Sequence, residues 1–135
     1  MYHNSVTTFP STTHFALTVS DLDRSVAWYE TLIGAAPFFV GDEPTFRFAV
    51  WLEPVFGLHQ HHSESEDKEA FDEHRLGLDH IAFGCASRNE LEEWLERLEE
   101  LEIEHGEIVD AFYGSALAFR DPDNIQLEFF VEAVS

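Results

Sequence analysis

The chain is short of positive charge, of sulfur and of long apolar runs. Lys plus Arg total 7 against 27 Asp plus Glu, a formal charge of -20 over 135 residues. Phosphate backbones and anionic lipid surfaces are bound through clustered Lys and Arg, so neither a nucleic-acid nor a membrane partner is expected. A single cysteine, Cys85, excludes an internal disulfide framework. No apolar run approaches the roughly 18 residues of a spanning helix. The opening Met1-Tyr2-His3-Asn4 has neither the basic region nor the apolar stretch of a secretory signal, so a cytoplasmic location is expected. What is present is core material. Apolar residues make up 44 % of the chain and aromatics 14 %, with 13 Phe, which argues for a folded chain rather than disorder. The length suits one domain spanning 1–135.

The order of elements repeats. Thr13–Val19 is β-rich, and Leu22, Val26, Tyr29 and Ile33 then recur at helical spacing. Ser20 is a plausible N-cap and Gly34 a plausible C-terminal stop. Three strand-like runs follow, Pro37–Val40, Thr45–Leu52 and Val55–His61, separated by Gly41-Asp42-Glu43-Pro44 and Glu53-Pro54. The second half opens with the strand Leu78–Phe83. Ser87-Arg88-Asn89-Glu90 is a capping-box pattern before a stripe of Leu91, Trp94, Leu95, Leu98 and Leu101. Glu107–Phe112, Ala116–Arg120 and Ile125–Val131 read as strands, with Asp121-Pro122-Asp123-Asn124 as the turn before the last. The expectation is an α+β fold of two βαβββ modules, about 12–61 and about 77–131. The Ser-, Glu- and Asp-rich linker at about 62–76 is expected to be solvated.

Strand alternation places the polar residues. If Phe15, Leu17 and Val19 face a helix, His14, Ala16 and Thr18 face away. By the same reading His80, His59, His61, Gln126, Glu128 and Phe130 face away on their strands. His14, His59, His80 and Glu128 thus share the side that no helix covers. Two imidazoles and a carboxylate suit a divalent ion such as Fe2+, Mn2+, Ni2+, Co2+ or Zn2+ with open positions for substrate oxygen. Laying Phe56-Gly57-Leu58-His59 on Ile125-Gln126-Leu127-Glu128 puts His59 opposite Glu128, as a fourth ligand or as an acid/base group. The alternative is that the inward histidines are merely hydrogen-bonded. His61, His62, His74 and His105 read as surface residues. Cys85 reads as a small buried hydrophobe.

The run His14–Tyr29 resembles the opening of the vicinal oxygen chelate superfamily, which holds glyoxalases, bleomycin-resistance proteins and dioxygenases. Gly77–Phe83 resembles its second module's opening, and Phe119–Phe130 resembles its closing motif. The resemblance implies paired modules in a cupped mixed sheet with helices on the outer face. It implies a divalent metal held by His14, His80 and Glu128, with His59 as the catalytic proton carrier. It also implies a small-molecule substrate bound through adjacent oxygens or an enolate, and a homodimer. Ala118 and Ala116 depart from the Tyr and His that ring-cleaving members carry there, and His59 departs from the carboxylate of glyoxalase I. The outline leans toward dioxygenase-like chemistry over isomerisation. The alternative is a metal-free drug-sequestering protein of bleomycin-resistance type, with Phe38, Phe39, Phe46, Phe48, Phe112 and Tyr113 as stacking surfaces.

Overall fold

The computed structural model describes residues 7–62 and 69–134. Ten elements follow in the order βαβββ–βαβββ: β1 (Phe15–Thr18), α1 (Leu22–Ile33), β2 (Phe39–Asp42), β3 (Phe46–Leu52), β4 (Val55–His61), β5 (Ile81–Gly84), α2 (Arg88–Glu100), β6 (Val109–Ala111), β7 (Gly114–Arg120) and β8 (Gln126–Glu132). They form two four-stranded mixed sheets, β1-β4-β3-β2 and β5-β8-β7-β6. In each sheet the module's first strand pairs parallel with its last, and the other neighbours pair antiparallel. The α+β class and the paired modules are as the sequence leads one to expect.

Both helices carry their own termination chemistry. The α1 N-cap is Asp21, whose carboxylate accepts from the Arg24 amide at 3.1 Å, not Ser20. The helix starts at Leu22, so Ser20 lies one residue too early to cap it. It donates instead to Asp123 on the far module. Gly34 stops α1 at φ 83°, a left-handed conformation that costs glycine nothing. Ser87 caps α2 by accepting from the Glu90 amide at 3.1 Å, while the Glu90 carboxylate reaches back to the Ala86 amide at 2.9 Å. The returning half of the box is thus displaced by one residue.

The two modules bury their apolar sides in one core. Leu17, Phe56 and Leu58 enter it from the first sheet, Leu117, Leu127 and Phe129 from the second. Between them lie Leu22, Tyr29 and Leu32 of α1 and Leu91 and Leu98 of α2. Trp28 of α1 stacks on Phe119 of β7 with ring centroids 6.3 Å apart, and Phe15 meets Phe83 across the modules at 6.1 Å. The α1 helix therefore has its own sheet on one side and the second module on the other. The polar face of each sheet is the side turned away from this shared core. Ala16, Thr18, Ala82 and Gly84, all on those faces, are exposed.

The linker is more structured than its composition implies. Glu73 forms a bidentate pair with Arg120 at 2.8 and 2.9 Å, and the Phe71 amide donates to the Asp123 carbonyl. Linker residues 63–68 lie outside the described residues. His105 is not a free surface residue either. It bridges to Phe119, with its side chain only 18 % exposed.

Candidate metal centre

The second sheet presents a floor of small residues. Ala118 pairs with Glu128, Ala116 with Phe130, and Ala82 with Glu128 on the other side. Glu128 therefore stands up between alanines. His80, immediately before β5, places Nε2 3.5 Å from Glu128 Oε1. Its Nδ1 lies 2.7 Å from Asp79 Oδ1. A carboxylate only accepts, so Nδ1 donates to Asp79, and Nε2 is turned to the Glu128 side. Gln126 fixes Asp79 in turn, donating to its carboxylate at 3.1 Å and to its carbonyl at 3.2 Å. Arg120 donates to Gln126 Oε1 at 3.3 Å, and Glu73 anchors Arg120. A chain of four side chains, Glu73, Arg120, Gln126 and Asp79, thus orients the His80 ring.

This pair fits a divalent ion. Two donors bound at about 2.1 Å with tetrahedral angles lie ~3.4 Å apart, close to the 3.5 Å seen here. A carboxylate holding the far nitrogen of a ligand histidine is the usual supporting partner of such sites. His14 does not join them in the single chain. It lies at the start of β1 on the other sheet, exposed, with Nδ1 2.9 Å from Thr13 Oγ1. Among the described residues, the only three such groups with ligand atoms within 4.8 Å of one another are Asp72, Glu73 and His74. These are turned to one another and to Arg120: His74 donates to Asp72, and Glu73 is held by Arg120.

The first sheet presents a different face. Register pairs Ala16 with Gly57 and Thr18 with His59, and Phe48 with His59 on the other side. The Phe46 ring stacks on His59 at 4.7 Å and 14°, and Phe48 lies beside both. Burial, followed by the neighbouring His61, lowers the pKa of His59, which keeps this imidazole neutral at pH 7.

His59 is not the counterpart of Glu128. His14 and His80 each precede their opening strand by one residue, so Ala16 corresponds to Ala82. The strand partner of Ala82 is Glu128, and the strand partner of Ala16 is Gly57. His59 instead matches Phe130, two residues or about 6.6 Å further along the strand. Alternation assigns Gly57 and His59 to the same face and cannot choose between them, which is why sequence matching chose the residue with chemistry. Asp79 and Gln126 were likewise missed as supports, although a carboxylate adjacent to a histidine in Asp79-His80 is a legible signal. Cys85 is half-buried, and burial with the nearby Glu90 pushes its thiol up to about 11, so it is not a nucleophile at neutral pH.

No helix among the described residues is long and apolar enough to cross a membrane. The model of the Glyoxalase/Bleomycin resistance protein/Dioxygenase superfamily matches residues 11–129. No curated protein matches. Among solved structures, the chain is 32 % identical to a glyoxylase/bleomycin resistance protein/dioxygenase domain from Frankia sp. EAN1pec, covering 93 % of this chain and 94 % of that one with a TM-score of 0.80. It shares its fold with the fosfomycin resistance protein FosX from Listeria monocytogenes, at 20 % identity, coverage of 94 % and 97 %, and a TM-score of 0.63. A putative glyoxalase from Bacillus halodurans is similar at 21 % identity, with coverage of 88 % and 93 % and a TM-score of 0.64. With a repeated βαβββ module, the histidine–glutamate pair on its second sheet and a family match over residues 11–129, the chain belongs to the Glyoxalase/Bleomycin resistance protein/Dioxygenase superfamily.

Proposed function

We propose that the protein is a small divalent-metal-dependent enzyme working as a homodimer, its metal centre shared between two copies. His80 and Glu128 of one chain and His14 of the other would hold the ion. The observation that carries this reading is the 3.5 Å approach of His80 Nε2 to Glu128, with Nδ1 already committed to Asp79. Two further facts support the shared centre. His14 stands before β1 on the other sheet, outside the His80–Glu128 pair within one chain, and Ala16 and Ala82 on the two polar faces are exposed. A second copy that lays its first sheet on the second sheet of the first would bury both faces at once.

A bound divalent ion would supply Lewis acidity toward adjacent oxygens or an enolate of the substrate. The protein's own part is to orient and to move protons. Asp79 holds the His80 ring in the ligating tautomer. His59, neutral and one strand repeat beyond the ligands, is placed to take a proton from a substrate hydroxyl or carbon at the rim of the site. The ligand types, two imidazoles and one carboxylate, lean toward dioxygenase-like chemistry over isomerisation. The aromatic cluster of Phe39, Phe46 and Phe48, with Phe39 exposed, is what favours a second reading, sequestration of a flat drug without metal.

Elemental analysis after anaerobic loading with Fe2+, Mn2+, Ni2+, Co2+ or Zn2+ separates the two. About one ion per chain, lost in His80→Ala and in Glu128→Ala, is the expected result. No ion under any loading would overturn the enzyme reading and leave sequestration.

A further inference from the structure

The two modules do not close completely on each other. On the side of β8 opposite Glu128, where Phe129 points, a cavity of about 240 Å³ opens between α1, the β3–β4 turn, the end of β5 and α2. It is a little smaller than the roughly 300–1,000 Å³ that takes a drug-sized ligand, so a single ring with a short chain is the size that fits. Both modules build it. The first supplies Tyr29, Leu32 and Phe56, the second Phe83, Trp94 and Phe129. The His80–Glu128 pair stands on the other face of the same strand, so the cavity is separate from it.

The walls are rings in contact. Trp94 stacks on Phe129 at 4.3 Å and 17°, Phe129 meets Phe83 at 6.2 Å, Phe83 meets Phe56 at 6.4 Å, and Phe56 meets Tyr29 at 5.6 Å. The Tyr29 hydroxyl is already given to Asp121. Cys85 joins the lining as a protonated thiol at neutral pH.

The charge on this lining has one sign. Glu53 and Glu90 are its charged members, and no Lys, Arg or His belongs to it. Glu90 accepts from the Ala86 amide through Oε2 at 2.9 Å, which leaves Oε1 over. Glu53 is exposed on the β3–β4 turn, and its carboxylate has no hydrogen-bond or ion-pair partner among the described residues. An anion would enter against two carboxylates. An ammonium gains from both carboxylates and from the aromatic faces behind them.

We infer that this cavity between the modules is a second ligand site, built for a small aromatic amine: the ring seats among Phe56, Phe83, Trp94 and Phe129, and the ammonium lies at the rim between Glu53 and Glu90. The inference holds whether or not a metal is bound on the opposite face. An occupant touches both modules at once, so it stabilises their packing and raises Tm.

The test uses the full chain with phenethylammonium as the probe, and with hydrocinnamate and ethylammonium as controls. Titration calorimetry should show phenethylammonium binding saturably at about one site per chain, with a rise in Tm and a change in the fluorescence of Trp94. Hydrocinnamate has the ring with the opposite charge, and ethylammonium has the charge without the ring; neither should bind. The double variant Glu53→Gln, Glu90→Gln should bind phenethylammonium about fivefold to tenfold more weakly. Its Gln side chain can still accept from the Ala86 amide, so the start of α2 is kept. Cys85→Phe, which fills the cavity, should abolish the site; if that variant does not fold, the double variant carries the test. No saturable binding to wild type, equal binding of hydrocinnamate, or unchanged affinity in the double variant or in folded Cys85→Phe would each overturn the inference. Equal binding of ethylammonium would overturn it too, by reducing the effect to general attraction toward an acidic surface.

Discussion

The hydroxyl of Tyr29 on α1 donates to the buried carboxylate of Asp121 at 2.8 Å, joining the first module's helix to the turn that launches the second module's last strand. Asp121 also accepts from the Asp123 and Ile125 amides at 2.9 and 2.8 Å. One carboxylate thereby shapes the turn before β8, and Glu128 stands two residues into that strand. Burial, reinforced by the adjacent carboxylate, pushes the Tyr29 hydroxyl far above its ordinary pKa, so it remains a donor at every accessible pH.

Tyr29→Phe removes that donor and leaves an acceptor of a buried charged group unpaired. The expected loss is about 1–3 kcal/mol of stability. Urea unfolding of both proteins checks it, and a midpoint within error of wild type would show that the bond contributes nothing net.

Glu73 should make the linker's attachment acid-sensitive. Its hydrogen bonds with Arg120 lower its pKa from the ordinary 4.5 to about 2. A carboxylate depressed on folding contributes stability above its unfolded value and loses it as pH falls through the folded one. The attachment of residues 69–76 to β7 should therefore hold above pH 4.5 and weaken progressively toward pH 2. Hydrogen exchange at the Phe71 amide, followed across that window in wild type and Glu73→Gln, reads it. Identical acid dependence in the two proteins would remove Glu73 as the cause.

A centre shared between two chains predicts complementation. His14→Ala and His80→Ala chains should each bind no ion as separate homodimers. Mixed in equal amounts and allowed to exchange subunits, they should recover roughly a quarter of the sites. Half the dimers are then mixed, and each mixed dimer has one intact site of two. No recovery despite demonstrated exchange would place all ligands within one chain.

Gly114 opens β7 at φ 156°, and a Cβ there would fall 2.4 Å from the Phe130 ring and 2.5 Å from the Val131 carbonyl oxygen. Backbone cannot yield as a flexible side chain can, so Gly114→Ala should cost at least about 1–3 kcal/mol. Thermal unfolding measures this. A Cβ on Gly57 would meet nothing nearer than the Ala49 carbonyl oxygen at 3.4 Å, so Gly57→Ala should cost less than Gly114→Ala, and the reverse ranking would contradict this packing.

Much of this protein is local and therefore legible in its sequence. The alternation of Phe15, Leu17 and Val19 against His14, Ala16 and Thr18 assigns faces, because side chains on a strand repeat every two residues. Ser87 with Glu90 and Gly34 mark helix ends through hydrogen bonds and a backbone conformation that involve only neighbours. Histidines before both opening strands and a glutamate on the closing one disclose the residue types of the proposed metal centre. What the tertiary structure alone decided is register and relative placement. Alternation allows both Gly57 and His59 on the polar face, and only the pairing of β1 with β4 says which of them matches Glu128. Nor does either module's pattern say whether its apolar side meets the other's. The Trp28–Phe119 stack and the Tyr29–Asp121 bond, between residues far apart in sequence, decide that the modules share one core. Pairing and packing of distant segments depend on shape and on partners that no local pattern contains.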